Sequence, residues 1–547
     1  MNVSRRKFIL GSITAIGALA LGRYTDFLST LSRLPSRRIP GELLGASSSL
    51  GHKLRSGGFP APASTVEKEV VIVGGGIAGL AAGYRLAKSG VQNFALLDLE
   101  KETGGNSISG KNSVTAYPWG AHYVPVLTEE ATAVQRLFEE LGIITGYDLK
   151  GLPIYNEFYI CADPHERLYM YGRWQEGIVP ILGVTEEEKT QYKNFFAKME
   201  NYKELKGSDG KRAFAIPVDK SSQDREFLSL DSLTMEEWMN GRGFDSPNLR
   251  WYVDYCCRDD YGMSLQETSA WAGIHYFASR NGKAANTEPQ NVMTWPEGNG
   301  WLVHKLTEPI RTNVVTNALS YGITDHGHSV TVDYWDSDQN QSVQIRAKAA
   351  IVATPRFVAS RIVKSPVDLS ADEFSYAPWA VANITLSKLP EGKGAPLSWD
   401  NMIYKSKLLG YVVATHQIPQ MNPVHTVVTY YWPLSHLSPA EARQEALGRS
   451  YDDWQKIFLK ELVAVHPEVE GHVERIDVWV WGHAMIRPAK GFIWGEARKR
   501  ALKQRPPIFT AHSDMSGISI FEEAYTYGVR AAENAMTFMN IPYTSHL

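Results

Sequence analysis

Cysteine is nearly absent from this chain: Cys161, Cys256 and Cys257 are the only ones in 547 residues. An odd count with one adjacent pair is neither a disulfide framework nor a zinc-ligand pattern. Such thiols act as small buried hydrophobes. Excess charge of one sign is absent too. The 56 Lys and Arg against 59 Asp and Glu leave a formal net charge of −3. Nucleic-acid binding usually needs a basic domain, so this balance argues against a nucleic-acid partner. No metal-ligand cluster, G-x-S-x-G elbow or Walker loop occurs, and hydrolase or phosphoryl-transfer chemistry has no support. There is no internal repeat and no long low-complexity stretch.

What is present is ordinary in proportion and specific in order. Hydrophobic residues make up 44% and charged residues 21%, the balance of a globular chain with a large core. At roughly 150 residues per domain the length predicts two to four structural units. The chain opens Ser4-Arg5-Arg6-Lys7-Phe8-Ile9-Leu10, and an apolar run follows to Leu21. A basic start and a run shorter than a bilayer span read as an export signal. The paired arginines resemble the twin-arginine motif S-R-R-x-F-L-K, with Leu10 in place of the final Lys. That resemblance implies passage of an already folded, cofactor-loaded chain through the twin-arginine machinery. It also implies a periplasmic or exported location, or retention by an uncleaved signal. Residues 23–63, rich in Ser, Pro, Gly and Arg, read as a linker.

Val70-Val71-Ile72-Val73 is the β-branched run of a buried parallel strand. It enters Gly74-Gly75-Gly76-Ile77-Ala78-Gly79, which satisfies G-x-G-x-x-G. A helical pattern follows until Gly90, and a second strand, Phe94 to Leu97, ends at Asp98. Gly74 permits the tight turn, Gly76 lets the backbone approach a pyrophosphate, and Gly79 lets helix and strand pack closely. The helix N-terminus, with Ile77 and Ala78, offers N–H groups to phosphate. Asp98, 19 residues after Gly79, is placed to accept from a ribose diol; Glu100 is the alternative acid.

Five residues after Asp98 comes Gly104-Gly105-Asn106-Ser107. This resembles the E-x5-G-G-[RN]-[ST] element of the flavin amine oxidase and phytoene desaturase superfamily, with Asp98 replacing the usual Glu. Gly298-Asn299-Gly300-Trp301-Leu302 and Ala349-Ala350-Ile351-Val352-Ala353-Thr354-Pro355 are similar to two further family segments. Ile508 to Asp514, then Ser519-Ile520-Phe521-Glu522-Glu523-Ala524 and Gly528, resemble the C-terminal flavin motif, with Glu523 departing from the usual Gly. The resemblance implies FAD, contacted by Asp514, Ser519 and Ile520 as well as by the two glycine turns. It implies an α/β fold with a discontinuous Rossmann-like FAD domain and an inserted α+β substrate domain. The division expected is 1–65 signal and linker, 66–125, 291–375 and 481–547 FAD domain, and 126–290 and 376–480 substrate domain.

Flavin chemistry asks little of side chains beyond positioning, so catalytic residues are harder to read. His122, in Tyr117-Pro118-Trp119-Gly120-Ala121-His122-Tyr123, is a candidate base because histidine titrates near neutrality. His483, His512 and Trp295 are expected to be structural or to neighbour the cofactor. Asn383 falls where the family's amine oxidases carry a lysine near flavin N5, and Lys388 lies further along. The expectation is an exported FAD-dependent oxidoreductase, amine oxidase-like, acting on a small organic molecule. Its expected electron acceptor is a quinone or redox protein. An isoprenoid-type desaturase and a flavin-binding electron-relay subunit are the alternatives.

Overall fold

A computed structural model describes residues 39–364, 371–418 and 424–547. The paired arginines and the apolar run after them lie outside the described residues. No described helix is long and apolar enough to cross a membrane.

The first layer system is a sheet with a parallel centre. Val314–Val315, Phe94–Leu97, Ser64–Val73, Gln341–Val352 and Ile508–Thr510 lie side by side, all parallel. The alternation of the strands sorts their side chains onto two faces. Val70, Ile72, Phe94 and Leu96 pack with the helices Ile77–Lys88 and Phe521–Phe538. Val71, Val73, Ala95 and Leu97 pack with the antiparallel hairpin Ala318–Asp325 and Val330–Asp336. With both faces covered, a continuous apolar run is what such strands require.

The second system is an eight-stranded mixed sheet. Its centre is Tyr376–Leu386, in which all eleven residues are buried. That strand pairs with Thr426–Pro433 on one side and Val473–Ile486 on the other. One face carries Trp379, Val381, Tyr431 and Trp481 and packs against a helical layer containing Pro247–Tyr261 and Ala270–Ala278. The opposite face is closed by Tyr451–Val465, which buries Trp454, Phe458 and Leu462.

Two expected boundaries shift. Val473–Ile486 is one strand of the second sheet, so the return to the dinucleotide side comes after Ile486 and not at 481. Residues 39–63 are not a free linker. Leu43–Gly45 adds a parallel edge strand to Val473–Ile486, and Ala63 donates its N–H to Ser342 O at 2.8 Å.

Candidate functional site

The dinucleotide motif forms a cradle made chiefly of backbone. Gly74 has φ +107°, and a Cβ there would lie 2.6 Å from Ala353 O. A Cβ on Gly79 would lie 1.8 Å from Gly74 O, so close packing of helix on strand excludes any side chain. Gly76 differs: the nearest atom to its added Cβ is Gly105 Cα at 4.0 Å, because that side faces open space. The two glycine turns are joined, Gly104 donating its N–H to Gly75 O at 2.8 Å. The helix Ile77–Lys88 starts with no side-chain cap and no acidic residue in its first turn. Its first N–H groups are therefore left for a ligand.

Asp98 lines this cradle. Burial raises its carboxyl to about 7, against hydrogen bonds from the N–H groups of Glu100 and Gly75. Glu100 is engaged elsewhere: its carboxylate accepts from the Ser47 N–H at 2.8 Å and hydroxyl at 2.7 Å. Asn106 donates its side-chain amide to Ala484 O, tying the second glycine turn to the second sheet. Ser107 is buried beneath the same turn.

Across the cavity, Asp514 is fully buried. Its Oδ2 accepts from the Tyr376 hydroxyl at 2.5 Å and the Arg356 N–H at 2.8 Å. Burial pushes the carboxyl up, but His512, Tyr376 and Arg356 outweigh it and hold it below the usual range. His512 Nδ1 lies 3.1 Å from the Asp514 N and 3.0 Å from Asp514 Oδ1. That oxygen is buried beside the imidazole. Ser519 and Ile520 lead into Phe521–Phe538, a second helix N-terminus without a side-chain cap. Glu522 and Glu523 follow, and burial raises them to about 7 and about 8. Glu523 is anchored by the Val218 N–H at 2.6 Å.

Asp98, Asn106, Ser107, Asp514, Ser519, Ile520 and Glu522 line one cavity of about 800 Å³, whose other side walls form a chamber. His122, Tyr123, Tyr431, Trp379, Asp259 and Asp260 form part of its wall. His122 stacks on Tyr431 with ring centroids 4.8 Å apart and contacts Trp399 at 5.5 Å. Arg280 contacts both Asp260 oxygens, at 2.7 and 2.9 Å. Burial, and then the Asp260 charge, raise the neighbouring Asp259, and Asp400 is raised by burial, by Asp259 and by Glu166. Glu166 and Asp400 sit opposite each other on paired strands. Asp259, Asp260 and Glu166 thus share Arg280 among aromatic rings, and Asp400 lies against Asp259 and Glu166. Among the described residues no three His, Cys, Asp or Glu side chains converge as a metal site.

The structure therefore brings together Gly74, Gly76, Ile77, Ala78, Asp98, Gly104, Gly105, Asn106, Ser107, Asp514, Ser519, Ile520 and His122 on one cavity. Gly79 stands behind that wall as packing. The expected role of His122 changes. Its Nδ1 faces Gly120 O at 3.3 Å, so Nδ1 carries the proton and Nε2 offers a lone pair. Burial lowers its pKa to about 4, which makes it a neutral acceptor and ring wall and a poor general base. Asn383 is not brought to the cavity. It is 2% exposed, donates to Pro118 O at 3.0 Å and accepts from the Thr429 hydroxyl at 2.7 Å. Trp379 and Val381, earlier on the same strand, line the wall instead. Lys388 lies beyond the strand, 3.4 Å from Glu391. Trp295 stacks on Trp301 away from the cavity. Sequence reasoning missed Asp259, Asp260, Arg280, Tyr431 and the 43–55 segment. The adjacent Asp259-Asp260 pair at the end of Pro247–Tyr261 was the one legible hint.

A family model described as an NAD(P)-binding Rossmann-like domain matches residues 72–141. Mitochondrial dimethylglycine dehydrogenase of Rattus norvegicus is 29% identical over 124 residues, which are 22% of this chain and 14% of that protein. The chain thus matches only a small part of that relative's length. Among solved structures, wild-type putrescine oxidase bound to putrescine superposes with TM-score 0.62 and 16% identity, covering 86% of this chain and 100% of that one. Cyclohexylamine oxidase from Brevibacterium oxydans IH-35A gives 0.60 and 13%, covering 86% and 98%. At these identities the likeness is one of fold: mixed α/β, with a Rossmann-like dinucleotide domain, as in these amine oxidases.

Proposed function

We propose that the chain is an exported FAD-dependent oxidoreductase that oxidises a small cationic amine. The observation that carries this is a single cavity joining a dinucleotide cradle to an acidic, aromatic chamber. The cradle fits a flavin dinucleotide. The open side of Gly76 and the bare helix start would hold the diphosphate, and Asp98 the ribose. Asp514 Oδ1, a buried acceptor on the cavity beside His512, suits a cofactor hydroxyl. The second uncapped helix start, at Ile520, suits the electron-rich edge of a flavin ring. When bound, FAD supplies a hydride acceptor at N5.

The chain's own residues position and deprotonate. Clustered carboxylates around one arginine attract an ammonium group, and the rings of His122, Tyr123 and Tyr431 hold a cation by its charge and its carbon chain. Hydride loss requires the amine nitrogen's lone pair. A carboxylate raised by burial and by a neighbouring acid, as Asp259 is, is suited to take the ammonium proton. These charges make the chamber a poor host for an isoprenoid. No lysine lines the cavity among the described residues, so no ammonium of the chain is at hand there to assist electron transfer to oxygen. A quinone or a small redox protein is accordingly the proposed acceptor. Anaerobic addition of small amines and diamines should bleach the bound flavin. A flavin that no amine bleaches, but that a redox partner reduces, would establish the electron-relay reading instead.

Export rests on Arg5 and Arg6. The Arg5→Lys/Arg6→Lys double variant keeps the charge and should remain in the cytoplasm as folded yellow protein. Normal periplasmic yield from it would overturn the twin-arginine route and leave the enzyme reading standing.

A further inference from the structure

Residues 39–56 cross the cavity from one sheet to the other. At one end, Leu43, Leu44 and Gly45 pair with Val478, Trp479 and Val480. Ile476 donates its N–H to Pro40 O at 3.0 Å, and Val478 to Glu42 O at 2.9 Å. Glu42 is held twice more, its N–H by Asp477 at 2.9 Å and its carboxylate by Arg475 at 3.0 Å. Gly41 makes the approach possible: at φ +157°, an added Cβ would lie 1.7 Å from Ile476 O. At the other end, Ser47 grips Glu100, two residues past the ribose acid Asp98. Between and beyond these anchors, Ser48, His52 and Arg55 line the cavity.

The same wall is positively charged. Arg361, on Arg356–Ile362, and Arg443, on Pro439–Gly448, line the cavity with Arg55 and His52. Among the described residues neither Arg55 nor Arg361 has a carboxylate partner. His483, in their midst, has its pKa lowered to about 4, by burial first and then by Arg443, Arg55, His52 and Arg361. Uncompensated cations gathered on a cavity wall are stabilised by an anion that enters it.

We propose that residues 39–56 are a clamp that retains the cofactor. The strand pairing and the Ser47–Glu100 contact close it, and Arg55, with Arg361 and Arg443, supplies charge complementary to a diphosphate. This rests on the FAD reading above. A dinucleotide in a Rossmann crevice otherwise lies at the open carboxyl ends of the strands. Here it leaves only when the strap lifts, so the strap governs the release rate more than the entry rate.

The test uses full-length wild type, Gly41→Val, Arg55→Ala and Arg55→Lys, each saturated with FAD. Release is followed as free-flavin fluorescence after dilution into flavin-free buffer. Gly41→Val should release FAD about tenfold or more faster than wild type, and Arg55→Ala several-fold faster, with Arg55→Lys restoring most of the difference. In parallel, trypsin cleavage after Lys53 and Arg55 is compared in wild type with and without FAD. Bound FAD should protect those bonds about tenfold or more. Equal release rates in the Arg55 variants, or equal cleavage with and without FAD, would overturn the clamp even if Gly41→Val fails to fold. A wild-type protein that takes up no FAD at all would instead overturn the cofactor reading, and the clamp with it.

Discussion

The outer part of the cavity presents backbone, and the inner part presents side chains. In the cradle the groups that face a ligand are glycine turns, a bare helix start and a single acid, all within 74–107. In the chamber they are Tyr123, Asp259, Asp260, Arg280 and Tyr431, drawn from segments up to about three hundred residues apart. A phosphate can be held by N–H groups of any sequence, but only glycine lets the backbone come near enough. A cation must be met by carboxylates and rings, which can come from any strand or helix that reaches the spot. The first solution writes a contiguous motif; the second leaves no local trace.

This contrast breaks most sharply at Gly76. Gly76→Val places a branched side chain in the open side of the cradle and should cost more than about a thousandfold in FAD affinity. The chamber should stay folded. Equilibrium dialysis of FAD against the purified variant checks it, and wild-type affinity would show that the cradle is not where the cofactor sits.

Glu523 lies behind the cavity wall, bonded to the Val218 N–H, and it tests burial without touching the substrate. Its carboxyl is raised from 4.5 to about 8 by burial, so the folded chain holds a proton that the unfolded chain releases. Stability therefore falls as pH rises from about 4.5 to about 8 and stays lowered above that. Glu523→Gln keeps an acceptor for the Val218 N–H and removes the charge. Denaturant unfolding should show the variant about 3 kcal/mol more stable than wild type at pH 9 and equal to it near pH 4. A pH-independent difference would show that the carboxyl is not the cause.

Asp259→Asn sharpens the comparison from the other side. FAD content should be unchanged, whereas kcat/KM should fall about 30-fold or more for monoamines and diamines alike, since the reacting ammonium loses its proton acceptor. Wild-type rates of anaerobic flavin reduction by both substrates would make Asp259 a structural residue. The smallest catalytic effect is expected at Asn383. Asn383→Leu should lower stability by about 1–3 kcal/mol, since it leaves Pro118 O and the Thr429 hydroxyl unpaired. The rate at which oxygen reoxidises the flavin should not change, and Asn383→Lys should not raise it.

The dinucleotide part was legible because its constraints are steric and local. Gly74, Gly79 and Gly104 are required by contacts with their own turns and strands, and Asp98 ends a four-residue strand. Asn383 was misplaced because counting along a strand cannot say where a cavity ends. The wall stops at Val381, and the next inward position, Asn383, lies under Pro118 O. His122 lies on the cavity, but the free imidazole's titration does not carry over to it, because its surroundings there penalise the charged ring. The 39–63 segment read as a linker because its Ser, Gly and Arg content matches one. Nothing in composition tells that Leu43–Gly45 will find an edge strand more than four hundred residues away.

The helices Ile77–Lys88 and Phe521–Phe538 meet so closely that a Cβ on Gly528 would lie 2.2 Å from Ala78 O. This contact sets a timetable for biosynthesis. The first glycine turn is made more than four hundred residues before the strand Ile508–Thr510 and the helix that backs it. Until that helix has been made, the nascent chain has half of a cofactor site. FAD can be captured firmly only once Phe521–Phe538 has docked on Ile77–Lys88.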